Sequence, residues 1–426
     1  MRPTILILTL LTTFYLTGCS VNPVTGKNEL SFISASREVD IGKKNYVPYQ
    51  QQQGGRYSVD PDVNRYVADV GNTLARLSGR PNLPYEFVVL NNGVPNAWAL
   101  PGGKIAINRG LLMELEDEAQ LAAVLGHEIV HAAGKHSVQK MQQSILLGIG
   151  VQATAIAAQG TEYGRAAAAG AGLGAGLWSA RYGREQELES DAYGIDYMVK
   201  AGYDPMAAVE LQETFLRLSK KNGGGSNWLQ GLFASHPPSQ ERVNKNRAKA
   251  QAIGPGGVRN REAFQQAIAQ MKKDKKAYED HQSAMKAAAE GNNKKALTLI
   301  DSAIKRQPED ALFHSTKGQI LLAEKQDSGA AKAFTKARTL DPDYYMGHLG
   351  LGLIQKKQKR HSQAKQSLIT STKLLPTQVA IYHLGEIELG QGNKQAAIQH
   401  FSTAAQQGGP LGEQASARLQ SLQSPQ

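Results

Sequence analysis

Leu121-Ala122-Ala123-Val124-Leu125-Gly126-His127-Glu128-Ile129-Val130-His131 is the stretch on which the reading of this chain turns. Its two histidines are four residues apart, so on an α-helix both imidazoles fall on one face, one turn apart. Leu121, Ala122, Val124 and Leu125 mark that helix as buried, and histidines inside it must recover the hydration they lose. A shared metal ion would satisfy both, and Glu128, next to the first, could reach a water on that ion. The apolar spacing predicts one continuous helix over 117–141. The His-Glu-x-x-His pattern also arises by accident in helices that bind nothing, so further ligands must be sought.

A catalytic zinc takes three protein ligands and keeps one position open, and the third ligand normally comes from a separate element. Arg184-Glu185-Gln186-Glu187-Leu188-Glu189-Ser190-Asp191 supplies acids on a second predicted helix, 181–200. Glu187 and Asp191 are four apart and share a face. That makes Glu187 the candidate ligand and Asp191 the candidate to hydrogen-bond a ligand imidazole and fix its tautomer. Glu189 is expected to point elsewhere and Glu185 to lie on the surface. His136, five residues after His131, would point well around an unbroken helix, which fits core or surface better than a ligand.

Other elements are read outward from this pair. A short helix is expected over 36–46. Asp60-Pro61 caps a helix that carries Val63, Val67, Val70 and Leu74 at helical spacing. Tyr85–Leu90 reads as a strand, and 96–100 with 104–108 as a hairpin around Pro101-Gly102-Gly103. Further helices are predicted over 204–219 and 242–250, and Gly254-Pro255-Gly256-Gly257 is the best domain boundary. Residues 148–176 are dense in Gly and Ala but broken by Gln152, Gln159, Glu162 and Arg165, which argues against a membrane span. They are open to reading as a lid, a plug, a membrane-touching hairpin or packed small-residue helices.

Beyond the boundary lies a repeat. Pro308, Pro342 and Pro376 are 34 apart, as are Ile300, Phe334 and Leu368, and Ala296, Ala330 and Ala364. Ala397 and Phe401 echo the pattern one residue short. A 34-residue period of small and large apolar residues marks tetratricopeptide (TPR) helix pairs, which must stack to bury their faces and then present a concave binding surface.

The 426 residues are 41% hydrophobic, enough to fill cores and exclude wholesale disorder. A single cysteine excludes a disulfide framework and a thiolate-only metal cluster. Net charge is +11, and from Arg259 onward 24 basic residues face 15 acidic ones, leaving +9 there. Such charge can attract nucleic acid, anionic membrane or acidic protein, or simply solubilise a helical surface. At the other end, Arg2 precedes an apolar run, Ile5–Leu16, too short to span a bilayer and read as a signal peptide over 1–18. Leu16-Thr17-Gly18-Cys19 is similar to a bacterial lipobox, which makes Cys19 the lipidation site. Ser20 then points to the outer membrane, and the implied compartment is the periplasm of a Gram-negative cell. Two acyl chains or more anchor a protein stably. The secretory signal and the lack of a base-stacking aromatic platform argue against a nucleic-acid partner.

Five matching pieces together resemble the HtpX/CAAX-prenyl-endopeptidase gluzincins, and within them the BepA-like periplasmic group with TPR repeats. They are Asn96-Ala97-Trp98-Ala99-Leu100-Pro101-Gly102-Gly103; Arg109-Gly110-Leu111-Leu112; the Leu125–His131 run with His136; Glu187-Leu188-Glu189-Ser190-Asp191; and His236-Pro237-Pro238 with Arg242. The resemblance covers most of 30–250. It implies a mainly α fold: a gluzincin metallopeptidase domain, helical with a small sheet, over 19–255, then a TPR α-solenoid over 256–426. It further implies one Zn2+ per chain held by His127, His131 and Glu187, with Glu128 as catalytic base. His236 would sit near the metal, closing its fourth site or stabilising the oxyanion. An extended peptide would lie along Asn96, Ala97, Trp98 and Ala99. The implied role is degradation of misfolded or stalled outer-membrane proteins, with the TPR arm docking the assembly machinery or a client. The rival is a non-catalytic adaptor or chaperone-like factor whose metal site is structural or self-blocked.

Overall fold

The computed structural model describes residues 19–145, 182–221 and 234–423. The expected signal peptide and the 148–176 segment lie outside the described residues. The chain divides into two compact units, residues 1–46 with 62–269, and residues 47–61 with 270–426. Both are mainly helical, and no helix among the described residues is long and apolar enough to cross a membrane.

In the first unit, β1 (Cys19–Val21) and β2 (Asn28–Leu30) pair antiparallel. Helix α1 (Ala35–Gln52) is longer than the predicted 36–46, and its residues from Val47 onward group with the second unit. Helix α2 (Pro61–Ala75) buries the expected Val63, Val67, Val70 and Leu74. Strands β3 (Glu86–Leu90), β4 (Ala97–Leu100) and β5 (Lys104–Asn108) form a sheet in the order β3-β5-β4. β5 runs parallel to β3 and antiparallel to β4, so β4 is an edge. The β4–β5 turn needs φ of 73° at Gly102 and 80° at Gly103, which glycine adopts without steric cost.

After the single-turn α3 (Arg109–Leu112) comes α4 (Glu118–Ala133), capped by Asp117, whose carboxylate accepts from the Gln120 amide at 3.0 Å. The predicted run to 141 is interrupted. Gly134 ends the helix, Lys135 turns with φ 57°, and helix resumes at 136. Helices α5 (Arg184–Lys200), α6 (Met206–Lys221) and α7 (Gln240–Ile253) complete the layer.

The units meet at 269/270, not at the glycine run at 254–257 expected as the boundary. The Arg259 guanidinium explains why: it lies 2.7 Å from Asp117, 3.2 Å from Asp204 and 2.5 Å from Glu210. The backbone there is also hydrogen-bonded to the first unit, through Val258 N to Gly202 O at 2.8 Å and Glu118 N to Arg259 O at 3.1 Å. Helix α8 (Arg261–Ala267) follows, with Phe264 fully buried.

The second unit is a helical repeat. After the short α9 (Ala269–Lys273) come α10 (Lys275–Ala289), α11 (Asn293–Arg306), α12 (Ala311–Ala323), α13 (Asp327–Leu340), α14 (Tyr345–Lys357), α15 (His361–Leu374), α16 (Gln378–Gly390), α17 (Lys394–Ala405) and α18 (Gly409–Gln423). The residues that set the period form its core: Ala296, Ala330, Ala364 and Ala397, and Ile300, Phe334, Leu368 and Phe401, are all buried. Residues 47–61 belong to this unit. Gln51 donates to Asp343 O at 2.8 Å and accepts from Tyr345 N at 2.9 Å, a join that no sequence period announces.

Candidate metal centre

Helices α4 and α5 cross where Gly126 meets Gly194. A Cβ at Gly126 would stand 3.0 Å from Gly194 O, so the absence of side chains lets the two backbones approach. That approach brings the histidines of α4 against the acids of α5. His131 Nε2 lies 3.0 Å from His127 Nε2 and 3.4 Å from Glu187 Oε1. His127 Nε2 is 3.6 Å from Glu187 Oε2. His236, from the segment before α7, places Nδ1 2.9 Å from Glu187 Oε1 and 3.3 Å from His127 Nε2.

One ligand atom from each of His127, His131, Glu187 and His236 lies within 4.8 Å of every other. A tetrahedral ion with bonds of about 2.0–2.1 Å sets its donors about 3.3–3.4 Å apart, so the observed separations fit such an ion. The proton inventory agrees. His127 Nδ1 lies 2.9 Å from Asp191 Oδ1, and a carboxylate only accepts, so the ring hydrogen is on Nδ1. In the neutral ring, Nε2 then carries a lone pair aimed at other acceptors. A cation resolves that conflict.

The electrostatics follow from burial and neighbouring charge. Burial raises the Glu128 carboxyl above the ordinary carboxylate range, against the pull of His236 and His127. Burial also pushes His131 well below the ordinary imidazole range, despite its hydrogen bond to Glu187. For Glu187, burial acts upward but His236 and His127 outweigh it, so the group stays anionic well below the usual range. His236 is raised, because Glu187 and Glu128 outweigh its burial. Its Nε2 is 3.5 Å from Glu128 Oε1, while Glu128 Oε2 has no hydrogen-bond partner among the described residues.

Asp191 is on the expected face and meets His127. Glu185 is exposed as expected. Glu189 and the buried His136 lie outside the four-donor set: Glu189 Oε1 is 3.1 Å from His136 Nε2, and His136 Nδ1 is 2.8 Å from His131 Nδ1. Only the break at Gly134 and Lys135 makes this possible, since five residues of unbroken helix would carry His136 around to another side. The buried Arg242 had no assigned role. It forks onto Asp191 with two contacts of 2.7 Å and places Nη1 2.8 Å from Glu187 Oε2. A buried arginine near a helix start has no local signature, because its partners are some fifty residues away. Tyr182 stacks on the His131 ring at a centroid distance of 3.8 Å, and Lys140 Nζ sits 3.3 Å from the Tyr182 ring centre.

Ala97 lines the cleft with His127, Glu128 and His236. Trp98 and Ala99 are buried within β4, whose outer side pairs with no strand among the described residues. Asn96 O accepts from Asn108 N at 2.8 Å, and Ala99 O accepts from Ser137 Oγ at 3.2 Å. Cys19 opens β1.

Residues 61–250 match the model of peptidase family M48, and residues 282–345 match a tetratricopeptide repeat. The beta-barrel assembly-enhancing protease of Escherichia coli (strain K12) is 26% identical over 247 residues, covering 57% of this chain and 50% of that protein. The mitochondrial metalloendopeptidase OMA1 of Schizosaccharomyces pombe is 29% identical over 239 residues, 54% of this chain and 66% of that one. The metalloprotease YcaL of Escherichia coli is 30% identical over 160 residues, 38% and 60%. The chain thus spans about half the length of the first of these relatives.

Proposed function

From the match of residues 61–250 to the peptidase family M48 model, with a tetratricopeptide-repeat match behind it, we propose that the chain is a zinc-dependent endopeptidase. The observation that carries this reading is the convergence of His127, His131 and Glu187 from two helices, with the buried Glu128 beside them. His127, His131 and Glu187 would hold one zinc ion per chain, which would supply Lewis acidity toward water and a scissile carbonyl. Glu128, raised by burial, takes the proton of the attacking water and returns it to the leaving amine. Asp191 holds His127 in the tautomer that presents Nε2. His236 would donate a hydrogen bond to the developing oxyanion. An extended peptide adds to β4 along Asn96, Ala97, Trp98 and Ala99, a mode that reads backbone more than side chains and suits unfolded chains.

Cys19 carries the lipid that holds the protein to the periplasmic face of the outer membrane, in a Gram-negative cell. The substrates are misfolded or stalled outer-membrane proteins, and the repeats dock the assembly machinery. The similarity to the beta-barrel assembly-enhancing protease of Escherichia coli supports this role.

One observation favours the adaptor reading. His236 completes a four-donor set, the ligand number typical of a structural zinc site. The Glu128→Gln variant separates the two readings. The endopeptidase predicts one zinc per purified chain, casein degradation by the wild type, and loss of degradation with zinc retained in the variant. A chain that binds no divalent ion, or a variant that degrades casein at the wild-type rate, removes the endopeptidase. A variant that loses degradation yet sustains outer-membrane assembly in cells supports the adaptor.

A further inference from the structure

Behind His131, on the side away from Glu187, lies a second imidazole that the proposed hydrolysis does not use. His131 and His136 are both buried, their Nδ1 atoms 2.8 Å apart, and His136 Nε2 lies 3.1 Å from Glu189 Oε1. A contact between two ring nitrogens holds one hydrogen, and the chain of partners decides which ring owns it. The Glu189 carboxylate accepts, so His136 carries its hydrogen on Nε2 and, as a neutral ring, presents a lone pair on Nδ1. His131 must then donate from Nδ1, which leaves its Nε2 bare toward Glu187 and His127. The opposite tautomer of His136 would turn a hydrogen on His131 Nε2 into the donor cluster.

We propose that His136 and Glu189 are positioning residues that fix the tautomer and ring orientation of His131, and so set the affinity of the metal centre. This rests on the zinc reading above. Asp191 with Arg242 supports His127, and Glu189 through His136 supports His131, so alternate acids of α5 serve three ends: Glu187 toward the ion, Glu189 and Asp191 toward the backs of its two imidazoles. The device depends on the Lys135 turn, which folds the chain after α4 back beneath its last histidine.

The test is zinc affinity of the purified full chain, measured by competition with a fluorescent chelator, alongside kcat and KM on the zinc-saturated protein. His136→Leu and Glu189→Ala remove the relay. They are expected to weaken zinc binding on the order of 10–100-fold, the usual effect of losing such a partner, with KM unchanged. His136→Asn and Glu189→Gln each keep an acceptor oxygen in place and are expected to recover most of that loss. Zinc affinities within twofold of wild type for all four variants overturn the proposal, as does a failure of the Asn and Gln variants to do better than Leu and Ala. Should His136→Leu not fold, the Glu189 pair decides, since that side chain is 17% exposed and its loss leaves no large cavity. A wild type that binds no zinc, or a His131→Ala variant that binds it normally, refutes the zinc reading itself. Normal wild-type binding with indifferent variants refutes only the relay.

Discussion

Gly194 on α5 touches the backbone of α4 at His127: a Cβ at Gly194 would stand 3.0 Å from the His127 amide nitrogen. This crossing sets how far Glu187 and Asp191 reach across to the histidines. A methyl there is tight but can be absorbed by shifts of a few tenths of an ångström; a branched side chain cannot. Gly194→Leu is expected to destabilise the first unit by about 1–3 kcal/mol through overpacking and to weaken zinc binding, while Gly194→Ala does far less. Urea denaturation with chelator competition checks both, and a Leu variant with wild-type zinc affinity would detach the crossing from the site.

Asp191 serves His127 and Arg242 at once. Its carboxyl stays below the usual range because Arg242 outweighs the cost of burial. Asp191→Ala therefore does two things: it frees the His127 tautomer and takes from the buried guanidinium the carboxylate it forks onto, leaving Glu187 as its one carboxylate contact among the described residues. The expected stability loss is about 3–5 kcal/mol, the usual consequence of leaving one partner of a buried pair. Asp191→Ala combined with Arg242→Met should recover much of the stability but not the zinc affinity, because only the charge conflict is relieved. Recovery of both would mean Asp191 acts on the site solely through Arg242.

What was legible in the sequence was local or periodic. His127 and His131 share a face because four residues make a turn, and Ala330 with Phe334 repeats at 34 because each helix pair solves the same packing problem. The hairpin announced itself through Pro101-Gly102-Gly103. What was not legible depended on partners remote in sequence or on one backbone angle. Arg242 finds Asp191 across fifty-one residues, and Arg259 draws the 256–269 stretch into the first unit through Asp117. Lys135, with φ 57°, turns the chain after Gly134, and without that turn His136 would not come between His131 and Glu189.

In the repeats, Phe334 wedges between two glycines: a Cβ at Gly318 would meet its ring at 2.8 Å, and one at Gly350 at 2.5 Å. Those glycines make room for the ring between α12 and α14. Phe334→Ala should cost about 3–5 kcal/mol and expose α12–α14 amides to hydrogen exchange ahead of the rest of the chain. Uniform protection across the repeats in that variant would show that the ring is not a local keystone.

His383 supplies a pH dependence away from the metal centre. Burial, with the Lys356 ammonium 3.2 Å from its Nδ1, lowers it from 6.5 to about 4. A base whose folded pKa is depressed stays neutral in the native chain while the unfolded chain takes up a proton. Stability is therefore complete above about 6.5 and drains away as pH falls toward 4. Near pH 5 the loss from this one group is about 1–2 kcal/mol. The measurement is the urea midpoint of the full chain's repeat transition at pH 7.5 and 5.0. His383→Gln, which does not titrate, should shrink the difference between the two midpoints, and an unchanged difference would place the acid sensitivity elsewhere.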